Sequence, residues 1–246
     1  MLHLLKDLEG FSVRAADGDI GEVKEFYFDD RQWVVRYLVV ETGSWLFSKK
    51  ILLSPISVKH IHRDDKMLTV SISKEQVKNS PDIDTQKPVS RQHEVDYLAY
   101  YGYPLYWGNS GFWGGYSSPY MIAPGYASVA PQPDNGLNTS DMAEEIDAVR
   151  NRGLDHHLRS STVVRGYHLE ATDGDLGHID DMLMDADTWE IKQLIINTSN
   201  WWLGHQVLIA PQSIKEVSWS NSKIYTDKTQ QQVKNAPVFD AETLTE

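Results

Sequence analysis

The chain of 246 residues predicts an all-β fold: two tandem small β-barrels of about six strands each, every barrel ending in a short helix, joined by a long aromatic, Gly/Pro-rich linker. Three observations lead there. The sequence repeats itself without a gap, so that residues 10–81 align with 166–237. Within each copy, Val, Ile, Tyr, Phe and Trp gather in short runs separated by turn residues, a pattern of strands. Between the copies the composition shifts to Tyr, Trp, Gly and Pro. The period is far longer than the roughly 20–50 residues of a stacked repeat. Two whole domains are therefore expected, at 1–84 and 156–246, with a linker over 85–155. Each domain is small but large enough to fold alone.

The repeat is carried by matching residues. Asp17-Gly18-Asp19-Ile20-Gly21 aligns with Asp173-Gly174-Asp175-Leu176-Gly177, Asp29 with Asp185, Trp33 with Trp189, and Leu38-Val39-Val40 with Leu194-Ile195-Ile196. Trp45 aligns with Trp201, and Ile51-Leu52-Leu53-Ser54-Pro55 with Val207-Leu208-Ile209-Ala210-Pro211. A first strand over 12–15 runs into the Asp17-Gly18 turn, because Asp-Gly suits a hairpin that needs positive φ. Asp17, Gly18 and Gly21, with Asp173, Gly174 and Gly177, are thus structural turn residues. A long second strand over 20–29 alternates imperfectly at Ile20, Val23, Phe26 and Phe28, which implies a bulge. Asp29 to Gln32 turn the chain into a third strand over 33–41, whose apolar run at 38–40 is of the buried kind. Strands over 50–53, 58–63 and 67–72 follow. Pro55 falls between strands, where its missing N–H does no harm. Six short strands at this spacing imply a closed barrel, which has no free edges. Ser73 caps a helix over 74–79, stopped by Pro81, and Thr229 and Pro237 repeat this in the second copy.

These residues resemble the PRC-barrel family. The resemblance rests on Asp17-Gly18-Asp19-Ile20-Gly21 with Val23, the strand at 37–40, Leu52-Leu53-Ser54-Pro55, and the ending from Ser73 to Pro81. It covers about two-thirds of the chain and identifies it as a tandem PRC-barrel protein of bacterial type. It is similar to the cytoplasmic domain of the photosynthetic reaction centre H subunit and to a ribosome maturation factor. This chain departs from the former in showing no membrane helix and from the latter in lacking its second domain. The resemblance implies an interaction or assembly module and supplies no catalytic site.

In the linker, an aromatic stretch begins at Tyr97 and includes Tyr100, Tyr101, Tyr103, Tyr106, Trp107, Phe112 and Trp113. A helix over 89–101 and an acidic one over 142–150 are compatible with the pattern. Solvated linkers avoid aromatics, whereas rigid aromatics give contact area at low entropy cost. A flexible spacer, docking on a barrel or partner, and self-association all remain open.

The net charge is −12. Residues 1–81 balance, while 82–155 and 156–246 each carry about −6. An acidic chain is not expected to bind nucleic acid, which needs clustered Lys and Arg. There is no Cys, which excludes disulfides, Fe–S clusters and Cys-based zinc sites. The start lacks the apolar run of a signal peptide, and no stretch approaches the roughly 20 apolar residues of a membrane span. A cytoplasmic protein is expected, with peripheral membrane contact left open.

No catalytic constellation emerges. Counted from Asp17, an EF-hand loop would need Gly at Glu22 and Glu at Phe28, so the calcium pattern fails. Asp29/Asp30 and Asp180/Asp181/Asp185/Asp187 read as solvated turn carboxylates. His60 and His62 share one strand face, but Glu216 and Ser218 replace them in the second copy. Asp155-His156-His157 is a weak ligand set. No nucleophile elbow or phosphate loop is present. No metal, cofactor or enzyme activity is expected. Trp45 with Leu46 and Phe47, and Trp201-Trp202-Leu203, follow the central strand of each copy. They either cap a barrel end, pair barrels or chains, or bind an external ligand. The candidate interaction residues are therefore Trp45, Trp201, Trp202, Tyr100, Tyr101, Trp107 and Trp113. The expected function is a non-catalytic scaffold that docks on a protein partner or self-associates as a homodimer. A small-molecule or metal-ion sensor using a groove between the barrels is the alternative.

Overall fold

The computed structural model describes residues 1–81, 89, 91–107, 111–122, 157–198 and 205–240. The first copy runs β1 (Leu2–Leu4), α1 (Leu5–Leu8), β2 (Ser12–Ala15), β3 (Gly18–Asp29), β4 (Val34–Thr42), β5 (Lys50–Leu53), β6 (Val58–His62), β7 (Met67–Val70) and α2 (Lys74–Lys78). The linker contributes α3 (Arg91–Tyr101). The second copy runs β8 (Leu158–Ser160), α4 (Ser161–Val164), β9 (His168–Ala171), β10 (Gly174–Asp185), β11 (Ile191–Asn197), β12 (Gln206–Ile209), β13 (Ile214–Ser218), β14 (Lys223–Thr226) and α5 (Gln230–Lys234).

The protein is all-β, as its strand runs dictate. Among the described residues there are two seven-stranded sheets, in the orders β5-β4-β3-β2-β7-β6 and β12-β11-β10-β9-β14-β13. The repeat is thus a repeat of topology. Two expectations are corrected. The sheets do not close into barrels: β5 and β6 are opposite ends of one order, joined by a 3-10 turn at Pro55–Ser57, where proline offers no N–H to a ladder. Each sheet also has a seventh strand, and it comes from the other copy. β1 pairs with β10, Leu2 opposite Asp185 and Leu4 opposite Leu183, while β8 pairs with β3. Leu2 and Leu4 pack on Leu183 and Ile195, so burial of two leucines drives the exchange of β1.

The chain packs as two compact units. The first comprises Met1–Glu9, Glu25–Val35 and Arg159–Glu246; the second comprises Gly10–Lys24 and Arg36–Leu158. Inside the first unit, repeat-equivalent residues meet one another. Val34 bridges Glu190, flanked by hydrogen bonds from Val35 N to Trp189 O (2.8 Å) and from Ile191 N to Trp33 O (2.7 Å). Arg165 Nη2 sits 2.6 Å from Glu9 Oε1. Val34 with Glu190 and Glu9 with Arg165 are each one repeat period, 156 residues, apart, and the two hydrogen bonds interchange under that shift, the pattern of a local two-fold axis. Trp33 and Trp189, beside that axis, adopt positive φ (55° and 61°). The backbone holds them there by hydrogen bonds from Trp33 N to Asp29 O and from Trp189 N to Asp185 O.

The expected bulge is at Ile20 and, in the second copy, at Leu176: the register slips between Val13 and Arg14 and again between Asp175 and Gly177. Glycine follows each bulge because the next strand crosses there. A Cβ on Gly21 would lie 2.0 Å from Glu41 O, and one on Gly177 2.0 Å from Asn197 O. Both predicted caps are present as full capping boxes, Ser73 with Gln76 and Thr229 with Gln232.

Candidate functional site

The candidate site lies in the second unit, where the 43–49 loop, α2 and the linker display or bury the aromatic residues. The bulge at Ile20 aims its carbonyl out of the ladder, where it accepts Trp45 Nε1 at 2.7 Å. Thr42 fastens the base of the loop: its N and Oγ1 both donate to Lys49 O, at 2.8 and 2.9 Å. The 3-10 turn Ser44–Leu46 then ends in two left-handed residues, Phe47 (φ 56°) and Ser48 (φ 52°). This reversal leaves Trp45 half-buried and Phe47 93% exposed. Lys74 Nζ stands 4.4 Å from the Trp45 ring centroid, a cation–π contact. Trp45, Lys74, Glu75, Lys78 and Asn79 line a cleft of about 350 Å³.

The turn carboxylates have a second task. Asp17 Oδ1 accepts Lys74 N at 2.9 Å, and Asp173 Oδ1 accepts Gln230 N at 2.8 Å. Each hairpin turn thereby anchors the first turn of its own copy's helix, satisfying a donor the helix cannot.

The linker aromatics are packed. Tyr97 is 1% exposed and its hydroxyl accepts Ser54 N at 2.9 Å. Its ring meets Tyr37 edge-on at 5.3 Å and Tyr101 at 4.8 Å. Tyr101 is half-buried, stacked on Tyr103 at 5.5 Å, and burial pushes its hydroxyl pKa up to about 12. Tyr100 is 40% exposed; its hydroxyl donates to Gln76 O at 2.8 Å and its ring meets Tyr101 edge-on at 4.8 Å. Trp107 is half-buried and meets Tyr106 edge-on at 4.8 Å. Trp113 is 1% exposed. Trp201 and Trp202 lie outside the described residues, as do Asp155, His156 and the stretch 142–150.

Under this aromatic layer lies a polar cluster that sequence reasoning missed. Arg36, 1% exposed in mid-strand, sits 3.8 Å from the Tyr106 ring centroid and 4.9 Å from that of Trp113. Its Nη1 donates to Phe112 O. Glu94 and His157 have fully buried side chains, 3.1 Å apart. Glu94 accepts the hydroxyls of Tyr37 (3.1 Å) and Tyr106, and His157 Nε2 lies 2.8 Å from the Tyr106 hydroxyl. With Tyr106 donating to Glu94, Nε2 is the nitrogen that carries hydrogen. Burial, with Glu94 close by, raises the Tyr37 hydroxyl well above the usual range. The cluster ties β4, α3 and residue 157 together. Arg36 amid Val34, Val35, Leu38 and Val39 was the available signal, since a charge in a buried strand demands partners.

His60 and His62 stand side by side with ring centroids 5.8 Å apart. Among the described residues no group of three or more His, Asp or Glu could hold a metal ion. No described helix is long and apolar enough to cross a membrane. A separate groove in the first unit, of about 450 Å³, runs between the turn Asp30–Trp33 and the stretch Pro211–Trp219. Arg159 Cζ lies 3.9 Å from the Trp219 ring centroid there.

No curated protein matches the chain. Residues 2–77, spanning β1 to α2, match the family described as PRC-barrel domain.

Proposed function

We propose that the protein is a non-catalytic interaction module whose aromatic linker presents a contact face to a protein partner. The observation that supports this is the division of labour within the linker. Tyr97, Tyr106, Trp113 and Ile122 are buried, yet Tyr100, Tyr120 and Met121 are 40%, 43% and 59% exposed on the same packed segment. A spacer would not hold large apolar side chains in fixed, exposed positions, whereas a docking face requires it. The buried titratable groups of the second unit are engaged with one another, which suits structure better than turnover. The test is affinity capture with the full chain and with a Tyr100→Ala/Tyr120→Ala/Met121→Ala variant. A partner held by the wild type and lost from the variant supports the reading; capture unchanged by the variant overturns it.

The groove beside Trp33 and Trp219 favours a second reading, a small-molecule sensor. Its walls combine two indoles with Arg31, Lys215 and Glu216. A metabolite that raises the melting temperature of the wild type but not of Trp219→Ala would support it.

A further inference from the structure

We propose that the Trp45–Phe47 loop docks the protein on an anionic lipid surface, with Phe47 entering the interfacial layer and the neighbouring lysines meeting the headgroups. It is carried by residues other than Tyr100, Tyr120 and Met121.

Three observations converge. The first is exposure: Phe47 is 93% exposed at the end of a loop. The loop is held open by Thr42, by Trp45 Nε1 on Ile20 O, and by two left-handed residues. A non-glycine left-handed pair is costly and persists because the surrounding contacts impose it. The fold therefore spends backbone strain on projecting an aromatic ring into solvent.

The second is charge. The protein carries −12, yet residues 42–50, the loop and the start of β5, contain no Asp or Glu and include Lys49 and Lys50. Lys74 and Lys78 line the cleft beside Trp45. Lys50 and Lys78 are exposed, and Lys74 lies over the Trp45 ring. Among the described residues Glu75 is the one acid lining the cleft, against Lys74 and Lys78 there and Lys49 and Lys50 on the loop. An acidic protein with such a local excess of lysine is oriented by an anionic surface, each lysine adding attraction within a Debye length.

The third is that the fold does not require these residues. The second copy keeps the same strand order, but Leu203 stands where Phe47 does, His205 and Gln206 replace Lys49 and Lys50, Gln230 replaces Lys74, and Glu216 interrupts its stretch. Lys78 recurs as Lys234, but Phe47 with Lys49, Lys50 and Lys74 is a set the second copy does not repeat. A protein partner would have to supply a pocket shaped for a single projecting ring. The interfacial layer accepts such a ring flanked by lysine stems without one.

The test is co-sedimentation of the full chain with vesicles of phosphatidylcholine alone and of equal parts phosphatidylcholine and phosphatidylglycerol. Binding is expected only to the mixed vesicles, and it should weaken as salt is raised. Phe47→Ala should weaken it about tenfold, as expected for withdrawing one buried aromatic ring. Lys49→Glu/Lys50→Glu should weaken it at least as much. Tyr120→Ala should leave it unchanged. Unaltered circular dichroism and denaturant midpoints would show that the variants fold. No preference for anionic vesicles, or equal binding by Phe47→Ala, overturns the proposal. So does light scattering that shows Phe47 holding two copies of the chain together. Because partner capture is probed at Tyr100, Tyr120 and Met121, either result can fail without the other.

Discussion

Asp181 is a carboxyl the fold would rather keep neutral. It is 3% exposed, and burial raises its pKa to about 6, against the opposing pull of the Met182 and Lys6 amides and Arg165. The folded state therefore binds a proton more readily than the unfolded chain between about pH 4 and 6. Stability from this group rises as pH falls through that window and is lost as pH climbs above it. Asp181→Asn should raise stability at pH 7.5 by up to about 3 kcal/mol, the free energy of a two-unit shift. It should remove that share of the pH dependence. Denaturant midpoints of both proteins at pH 7.5 and 4.5 check this; a variant less stable at pH 7.5 refutes it. Sequence reasoning took the acidic group around Asp181 as solvated, because nothing in Asp180-Asp181 reveals that β1 and α1 will cover one of the two. Gly21 and Gly177 were legible as special, though not for the full reason. Their Cβ positions collide with a backbone carbonyl on the crossing strand, and backbone cannot rotate away as a side chain can. Gly21→Ala should cost about 2–4 kcal/mol, more than Gly10→Ala, where a Cβ meets nothing within 4 Å. Equal denaturation midpoints for the two variants would remove the distinction.

At the scale of elements, the strands were legible because they bury either one face, as β2 and β7 do, or both, as β4 does, and each leaves its own apolar pattern. The first copy's strands at 12–15 and 50–53 match the sequence expectation to the residue, and the rest differ by one or two at their ends. Three features were not legible. β1 and β8 are three residues each, too short for alternation to declare itself. Closure was inferred from strand number and spacing, but it depends on how sheet ends meet, which no local pattern encodes. The polar cluster joins Arg36, Glu94, Tyr106 and His157 across long stretches of chain, and pairing at such separation leaves no periodic trace. The link from turn to helix can be tested directly. Asp17→Ala and Asp173→Ala each remove an acceptor from the first turn of α2 or α5, at Lys74 N and Gln230 N. Each should cost about 1 kcal/mol, the ordinary value of a lost cap. Asp17→Asn, which keeps an acceptor oxygen, should recover most of it. If Asp17→Ala matches the wild type in thermal denaturation, the carboxylate serves the turn alone.

Across the whole molecule, the exchange of β1 and β8 changes what an independent domain means here. The ungapped repeat, with Pro81 ending its first copy, suggested that residues 1–84 would fold by themselves. In the structure that fragment would lack β8 beside β3. It would leave β1 without β10, with Leu2 and Leu4 stripped of Leu183 and Ile195. It would also uncover Arg36 and Tyr37, which Glu94, Tyr106 and Trp113 now cover. A buried charge that loses its partners is among the costlier defects a fold can carry, about 3–5 kcal/mol. Residues 1–122 and 157–246 together hold every one of these contacts, and so need no covalent link to complete both sheets. The link raises the effective concentration of one half near the other to about millimolar; the exchanged strands, the Val34–Glu190 bridge and the Glu9–Arg165 pair supply specific contact. The two fragments, co-expressed, should therefore co-purify as a one-to-one complex with the circular dichroism of the intact chain. Removing residues 1–8 from the first fragment should weaken that complex by at least tenfold, since it deletes β1 and α1. Residues 1–84 alone should unfold at lower denaturant than the intact protein or form mixed oligomers through β1. Size-exclusion chromatography with light scattering separates the outcomes. A monomeric 1–84 with the full chain's denaturant midpoint, or fragments that elute apart, would mean that the exchanged strands add little and that each copy stands by itself.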